Sequence, residues 1–126
     1  MIQHLSKMIN HEDGTSTVEF ALILPFMVML IMGIIQFGMA YNSYISITHA
    51  AREGARLAAV DQYDEGVVRE RAYPVVPDAV SISFPNGNAH GEEAVVTVSY
   101  TKKIEIPFWG KVSVPITSRA GMRIEY

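Results

Sequence analysis

The first third of the chain carries an apolar stretch dominated by Leu, Ile, Met and Phe. It runs from Val18 to Ala40, and Glu19 is its single charged residue. At about 1.5 Å per residue, a helix of this length measures roughly 35 Å and can cross the ~30 Å hydrocarbon layer of a membrane. Pro25 removes one backbone donor, which a spanning helix tolerates as a kink. The pattern predicts a membrane-spanning helix with an interfacial exit at Tyr41 and Tyr44.

The same helix is predicted to continue from Tyr41 to Val60, with small residues at every fourth position. Such rows allow close approach between helices, or between a helix and a sheet. Two uses stay open, packing on the protein's own sheet or contact with a neighbouring subunit. The two rows are Ala50, Gly54 and Ala58, and Ala51, Ala55 and Ala59. The predicted apolar face holds Ala40, Tyr44, Ile47, Ala51, Ala55 and Ala58, and the polar face holds Asn42, Ser46, His49, Arg52, Glu53 and Arg56.

After Asp61 the pattern changes to short elements. A helix is expected from Asp64 to Ala72, capped by Asp61 or Asp64. Pro74 and Pro77 end it, and the segment Pro85-Asn86-Gly87-Asn88 opens a polar loop that reaches about Glu93. Alternating residues predict strands, with apolar positions at Val80, Ile82 and Phe84, then at Val96, Val98, Tyr100, Ile104 and Ile106, and then at Val112, Val114, Ile116, Ala120, Met122, Ile124 and Tyr126.

These elements predict an α+β, pilin-like fold. A long N-terminal transmembrane helix would pack its C-terminal half on a small antiparallel sheet of three or four strands, because about 66 residues make a marginal core alone. The expected segments are a leader at 1–14, the transmembrane helix at 15–41, its extramembrane continuation at 42–60, a short helix and linker at 61–79, and the sheet at 80–126.

Composition narrows the function. Of 126 residues, 49% are hydrophobic and the net charge is −3, so there is no basic surface to favour nucleic acid. Cysteine is absent, which excludes disulfides and thiolate chemistry. The four histidines (His4, His11, His49 and His90) lack ligand spacing, and no nucleophile or phosphate-loop motif is present. We therefore expect no enzyme, no cofactor and no metal site.

Three weaker features have ordinary interpretations. Asp61, Asp64 and Glu65 could hold a hard cation but lack the alternating pattern of a dedicated loop, so a helix-start cluster is preferred. The Glu92-Glu93 pair is interpreted as solvated. The turn predicted from Pro107 to Lys111 contains Phe108-Trp109, which is either part of the core or a partner-binding tip.

The N-terminal region admits three interpretations. A cleaved secretory signal would be released near Ala40, but the apolar run is too long and Lys7 is the single early cation. A plain signal anchor leaves Glu19 and Gly14 unexplained. A prepilin would be cut after Gly14, since glycine fits a close-fitting peptidase cleft, leaving Thr15 as the new N-terminus. Glu19 could then pair with the terminal ammonium of a neighbouring subunit, which offsets the cost of placing a carboxylate in lipid.

The segment Gly14-Thr15-Ser16-Thr17-Val18-Glu19-Phe20-Ala21-Leu22-Ile23-Leu24-Pro25 resembles the opening of TadE-like proteins, minor pseudopilins of tight-adherence (Tad/Flp) pili. The resemblance continues through Gly33-Ile34-Ile35-Gln36-Phe37-Gly38 and the alanine-rich residues up to Arg56. The Glu-Phe-Ala…Pro string, which contains Phe20 and Pro25, is its most specific part.

The resemblance implies a pilus-assembly subunit of a type IV-like adhesive pilus, processed by a prepilin peptidase. Its partners would be membrane lipid, other pseudopilins or pilins, and the Tad secretion machinery. It implies a bacterial inner-membrane protein with a cytoplasmic N-terminus and a periplasmic or extracellular C-terminal domain. Major pilins of this system are much shorter after cleavage, so an accessory subunit is expected. The alternative is a single-pass structural or interaction protein that does not enter a filament.

Overall fold

A computed structural model of the protein describes residues 11–75, 79–84 and 91–124, with side chains from Gly14 onward. Two helices come first, α1 (His11–Ala59) and α2 (Glu65–Arg71). Three strands follow, β1 (Val80–Ser83), β2 (Glu93–Ile106) and β3 (Gly110–Arg123). Several predicted features lie outside the described residues, namely Pro77, the loop at Pro85-Asn86-Gly87-Asn88, His4, His90, Tyr126 and residues 1–10 of the predicted leader.

The α1 helix runs without a break through the predicted spanning segment and its continuation. The chain divides into two compact units, one ending at Ile35 and the other comprising Gln36–Tyr126. We call the latter the folded unit. The α+β class with one long helix on a small antiparallel sheet is confirmed.

In the unit that ends at Ile35, the large apolar side chains of α1 point away from any protein core. Pro25 lies inside the helix without ending it, because a single lost donor does not break a helix held by its remaining bonds. The exposed side chains are Val18, Phe20, Leu22, Ile23, Leu24, Phe26, Met27, Val28, Leu30, Ile31, Met32, Ile34 and Ile35.

The sheet of the folded unit is antiparallel, in the order β1-β2-β3. Ile82 pairs with Val98, and Val98 pairs with Ser118, so even-numbered residues share one face in all three strands. The alternation predicted from sequence therefore gives the correct face, and the strand count is three among the described residues.

That face packs on α1 to form the core. Gly54 of α1 is closely approached by both α2 and the sheet, since a Cβ placed there would be 3.1 Å from both Val68 Cγ2 and Val96 Cγ1. Small residues are needed on α1 because the sheet approaches its backbone closely. The main buried cluster is Ile47, Ala50, Ala51, Ala55, Val68, Ala72, Val75, Val80, Val96 and Val98.

The α2 helix contributes Val68 to this core and is capped by Asp64. The backbone N–H of Gly66 donates to Asp64 Oδ1 at 2.7 Å, which satisfies one orphan donor of the first turn. Asp61 instead takes a positive φ of 56° where the chain leaves α1. Of the two predicted caps, Asp64 is the correct one.

Two assignments on the helix faces were wrong. Ser46, placed on the polar face, is buried, because its hydroxyl donates to the Asn42 carbonyl at 3.0 Å and needs no water. Tyr44, placed on the apolar face, is 46% exposed, since the close contact between α1 and the sheet favours smaller side chains. Burial on α1 follows side-chain size and local hydrogen bonding more closely than polarity.

Candidate functional site

The predicted cleavage residues, Gly14 and Thr15, lie inside α1. No described residue beyond the local helix and chain neighbours would come within 4 Å of a Cβ at Gly14, so packing does not require glycine there. This end of α1 contains four poor helix formers in succession, Gly14, Thr15, Ser16 and Thr17. Together they reduce the stability of the helix by about 2–3 kcal/mol relative to four alanines. A peptidase that binds extended chain would therefore find this part of α1 comparatively easy to unwind.

The Glu19 carboxylate is exposed on the unit that ends at Ile35. Among the described residues no salt bridge to it is found. The nearest lysine or arginine residues along the sequence are Lys7 and Arg52, one before and one well after the apolar stretch. Within the described part of the chain no cation is paired with Glu19, although a carboxylate in a hydrocarbon setting needs one.

Phe20 and Pro25, the specific part of the predicted processing motif, also lie on this unit, and Phe20 is exposed. Phe20 directly follows Glu19, and Pro25 lies less than two turns beyond Glu19 along α1. Their side chains contribute nothing to the core of the folded unit. The structure thus leaves this stretch available to lipid or to another protein.

The residues predicted for helix packing lie elsewhere, in the core of the folded unit. Ala51, Ala55 and Ala58 are fully buried, and Gly54 is buried against Val68 and Val96. These small residues are covered by α2 and the sheet of the same chain. The processing motif and the small-residue rows therefore belong to different units of the molecule.

A cleft on the folded unit brings together several polar and ionisable side chains. It is lined by Ser46, His49, Glu53, Arg71 and Tyr73. A hydrogen bond from the Arg56 guanidinium lowers the pKa of Glu53 below its usual value, so Glu53 is a solvent-facing carboxylate held by an ion pair. No group of three or more potential metal ligands occurs anywhere in the described ranges, including Asp61, Asp64 and Glu65.

The turn predicted between Pro107 and Lys111 joins β2 to β3, and the structure decides whether its aromatic pair is part of the core. Phe108 is 94% exposed and Trp109 is 83% exposed, so the core interpretation was wrong. Phe108 also has a φ of 71°, a region that bulky residues rarely adopt. The sequence predicted that the dipeptide lies in a turn, but its exposure depends on where β2 and β3 end, which the strand register shows.

In the described part of the chain, one helix, Gly14–Ala59, is long and apolar enough to cross a membrane by length and composition, and no residue of its apolar window is buried. Residues 14–56, about a third of the chain, match the family described as TadE-like protein. No curated protein and no solved structure matches the chain. The match confirms the resemblance read from the sequence, and it assigns a TadE-like segment to α1, beginning at Gly14.

Proposed function

We propose that this protein is a minor pseudopilin, or assembly subunit, of a Tad/Flp adhesive pilus, cut by a prepilin peptidase after Gly14. One observation carries the proposal. The TadE-like match begins at Gly14 and includes the exposed apolar stretch of α1, in which Glu19 is the one carboxylate. An apolar surface of this length needs lipid or protein around it.

The proposed role of Gly14 in cleavage is supported by the absence of any packing reason for glycine at this position. A side chain at this position would meet open space, and glycine in a helix costs about 1 kcal/mol relative to alanine. Cleavage supplies a reason for it, because a residue without a Cβ lets a peptidase approach the backbone closely. The poor helix formers that follow assist local unwinding at the cut.

The role of Glu19 follows from the charge that cleavage creates. The new α-amino group at Thr15 is one helical turn from Glu19, with a rise of about 6 Å. A carboxylate at this depth can therefore meet the ammonium of its own chain or that of a neighbouring subunit. We propose the neighbour as the partner in the assembled pilus, since that contact holds two subunits in register.

In this proposal the apolar first half of α1 lies in the membrane, and the folded unit lies outside it. A single helix at the N-terminus is compatible with a single-pass anchor in a membrane. We propose the bacterial inner membrane, with the N-terminus cytoplasmic and the folded unit periplasmic or extracellular. In this role the protein has no catalytic activity and needs no cofactor. Its partners are the peptidase, pilins or pseudopilins, and the Tad secretion machinery.

A second function is favoured by one observation. The small-residue rows around Gly54 are covered by the chain's own sheet, so they are not available to a neighbouring helix. The protein could therefore serve as a membrane-anchored structural or interaction protein that does not enter a filament. In that case other subunits would contact either the part of α1 before Ile35 or the outer surface of the folded unit.

Intact-mass measurement of the membrane-bound chain tests the processing step. The wild-type chain should lack residues 1–14, and Gly14→Leu should retain them while still inserting. Gly33→Leu is the matched control, because it places the same side chain in open space on the same helix and should be processed normally. A Gly14→Leu chain that matures like wild type would contradict the proposed cut.

Co-purification tests the assembly step separately. The Glu19→Ala variant should be processed normally but should co-purify with much less of its partner subunits. Glu19→Gln should show the same loss, because the proposed contact with the ammonium group requires the negative charge. Glu53→Gln is the control, since Glu53 pairs with Arg56 on the folded unit. Undiminished partner recovery with Glu19→Ala would favour the anchor that does not enter a filament.

A further inference from the structure

The β2–β3 hairpin runs along α1 toward the beginning of the folded unit. Val96 lies beside Gly54, and further along β2 the residues Tyr100 and Lys102 share a cleft with Met39 and Ser43. At the end of β2, Gln36 Nε2 donates a hydrogen bond to the Glu105 carbonyl. The hairpin turn therefore lies at the end of the folded unit where the chain enters from the apolar stretch.

Exposed apolar side chains gather at this end. Phe37 and Tyr41 stack on α1, with ring centroids 6.5 Å apart, and both rings are exposed. The helix-facing side of the sheet, buried at Val96 and Val98, becomes exposed near the turn. The exposed apolar residues of the hairpin end are Ile106, Phe108, Trp109, Val112 and Val114.

The turn holds its aromatic pair in an unfavourable backbone conformation. Trp109 N donates to the Ile106 carbonyl at 3.1 Å, which places Pro107 and Phe108 at the two central positions of a β-turn. The second central position has φ of 71°, where glycine or asparagine is normally found. No packing in the folded unit compensates, because Phe108 is 94% exposed. A strained, exposed aromatic residue points to a function outside the folded core.

The charge around the turn differs from that of the chain as a whole. From Tyr100 to Ser118 there are three lysines (Lys102, Lys103 and Lys111) against one carboxylate, Glu105, giving a local charge of +2 in a chain of −3. Glu105 is paired with Lys111 at 2.7 Å. Lysines beside exposed Trp, Phe and Tyr are the combination that suits anionic lipid headgroups above a hydrocarbon boundary.

We infer that the Phe108-Trp109 turn is a second membrane contact, inserted into the lipid–water interface of the membrane that α1 spans. The inference rests on the proposed membrane anchoring. The contact is with lipid that has anionic headgroups, because the exposed aromatic residues lie near Gln36, where the folded unit begins after the apolar stretch of the sequence, and are flanked by lysines. The turn would hold the folded unit against the membrane surface.

Tryptophan fluorescence tests this directly, since Trp109 is the single tryptophan of the chain. The full chain is placed in vesicles of phosphatidylethanolamine and phosphatidylglycerol, with bromine at shallow or deep acyl positions. Trp109 should emit at shorter wavelength than in water, be quenched most strongly by the shallow bromines, and show severalfold weaker quenching by aqueous acrylamide than an exposed tryptophan.

The matched control is the double variant Trp109→Phe/Val60→Trp. Val60 is 50% exposed and follows the end of α1, about 35 Å along the helix from Gln36. Its tryptophan should be quenched by acrylamide and untouched by brominated lipid. Circular dichroism of both chains checks that they fold alike.

Each remaining outcome counts against the inference in a recognisable way. Equal acrylamide quenching of Trp109 and of the Val60→Trp probe, with no lipid quenching, would place the turn in water. If Trp109 is protected from acrylamide but not quenched by brominated lipid, and the protection increases with the protein-to-lipid ratio, a neighbouring subunit covers the turn instead of lipid. Retention after a carbonate wash is scored first, because loss of the chain from the vesicles would refute membrane anchoring itself, whereas a retained chain with a water-exposed Trp109 would refute the turn contact alone.

Discussion

The two halves of α1 use one helix for opposite purposes. Before Ile35 its side chains are large, apolar and exposed, and after Gln36 its contact face is built of alanine, glycine and serine and is buried. The covered half is the one with the smaller residues. The comparison teaches that hydrophobicity alone does not decide what a helix packs against. Small side chains let a sheet approach the helix backbone, whereas large ones present a surface that suits fluid lipid.

The strongest test of this comparison is to place the same side chain in each half. Gly54→Leu should destabilise the folded unit by about 3 kcal/mol or more, because even its Cβ would lie 3.1 Å from Val68 and Val96. Hydrogen exchange of the β2 amides in the full chain in nanodiscs would show the loss of protection. Gly33→Leu should leave that protection unchanged, and equal effects of the two variants would remove the distinction between the halves.

A deletion in the core gives a smaller effect of the same kind. Val96→Ala should cost about 2 kcal/mol in the free energy of unfolding, since it removes two buried methyl groups and leaves a cavity. Urea unfolding of the full chain, followed by circular dichroism, measures it. Val28→Ala removes the same atoms from an exposed site before Ile35 and should not shift the unfolding midpoint of the folded unit.

The cap of α2 tests how Val68 is positioned against α1. Asp64→Ala should lower the free energy of unfolding by about 1 kcal/mol, because the Gly66 N–H loses its acceptor. Asp64→Asn keeps a side-chain oxygen at the cap and should retain most of the stability in the same urea experiment. A loss as large with asparagine as with alanine would show that the carboxylate charge is the important feature.

The smallest expected effect concerns the exposed pair near the hairpin turn. Lys111 lowers the pKa of Glu105, and Glu105 raises the pKa of Lys111, each through the hydrogen bond between them. The stability from Glu105 is therefore present above the unfolded carboxyl pKa and is lost as the pH falls through the folded value. That from Lys111 is present below the unfolded lysine pKa and is lost as the pH rises through the folded value.

Glu105→Gln should accordingly destabilise the hairpin slightly near neutral pH and not at all in acid. Urea midpoints across that range would check it. A difference between wild type and variant that grows toward low pH would contradict the assigned pairing. Because both side chains face water, salt should weaken the effect.

Sequence patterns were enough to predict the continuous helix and the strand faces, and they narrowed the cap of α2 to Asp61 or Asp64. Each depends on local chemistry, namely apolar length for α1, alternation for Val96 and Val98, and a short carboxylate at Asp64. The buried Ser46 was missed because its burial depends on a hydrogen bond to Asn42 within the helix, which polarity scales ignore.

The residues of the hairpin turn were predicted correctly from sequence, but the position of the turn beside α1 could not be, for a different reason. Its location depends on how far β2 extends past the part of α1 that it covers, and on the Gln36–Glu105 hydrogen bond that ends this contact. Both are tertiary features. Likewise, the processing motif could be recognised as a pattern, but its separation from the small-residue rows at Gly54 required the fold.

Cysteine labelling in intact membranes tests the central claim most directly, because the chain has no native cysteine to interfere. Leu30→Cys and Arg52→Cys place a thiol on an exposed position of each half of α1. We predict that a water-soluble maleimide reacts with the Arg52→Cys chain at once and with the Leu30→Cys chain only after detergent and denaturant are added. Equal labelling of both positions in intact membranes would show that the first half of α1 is not in lipid.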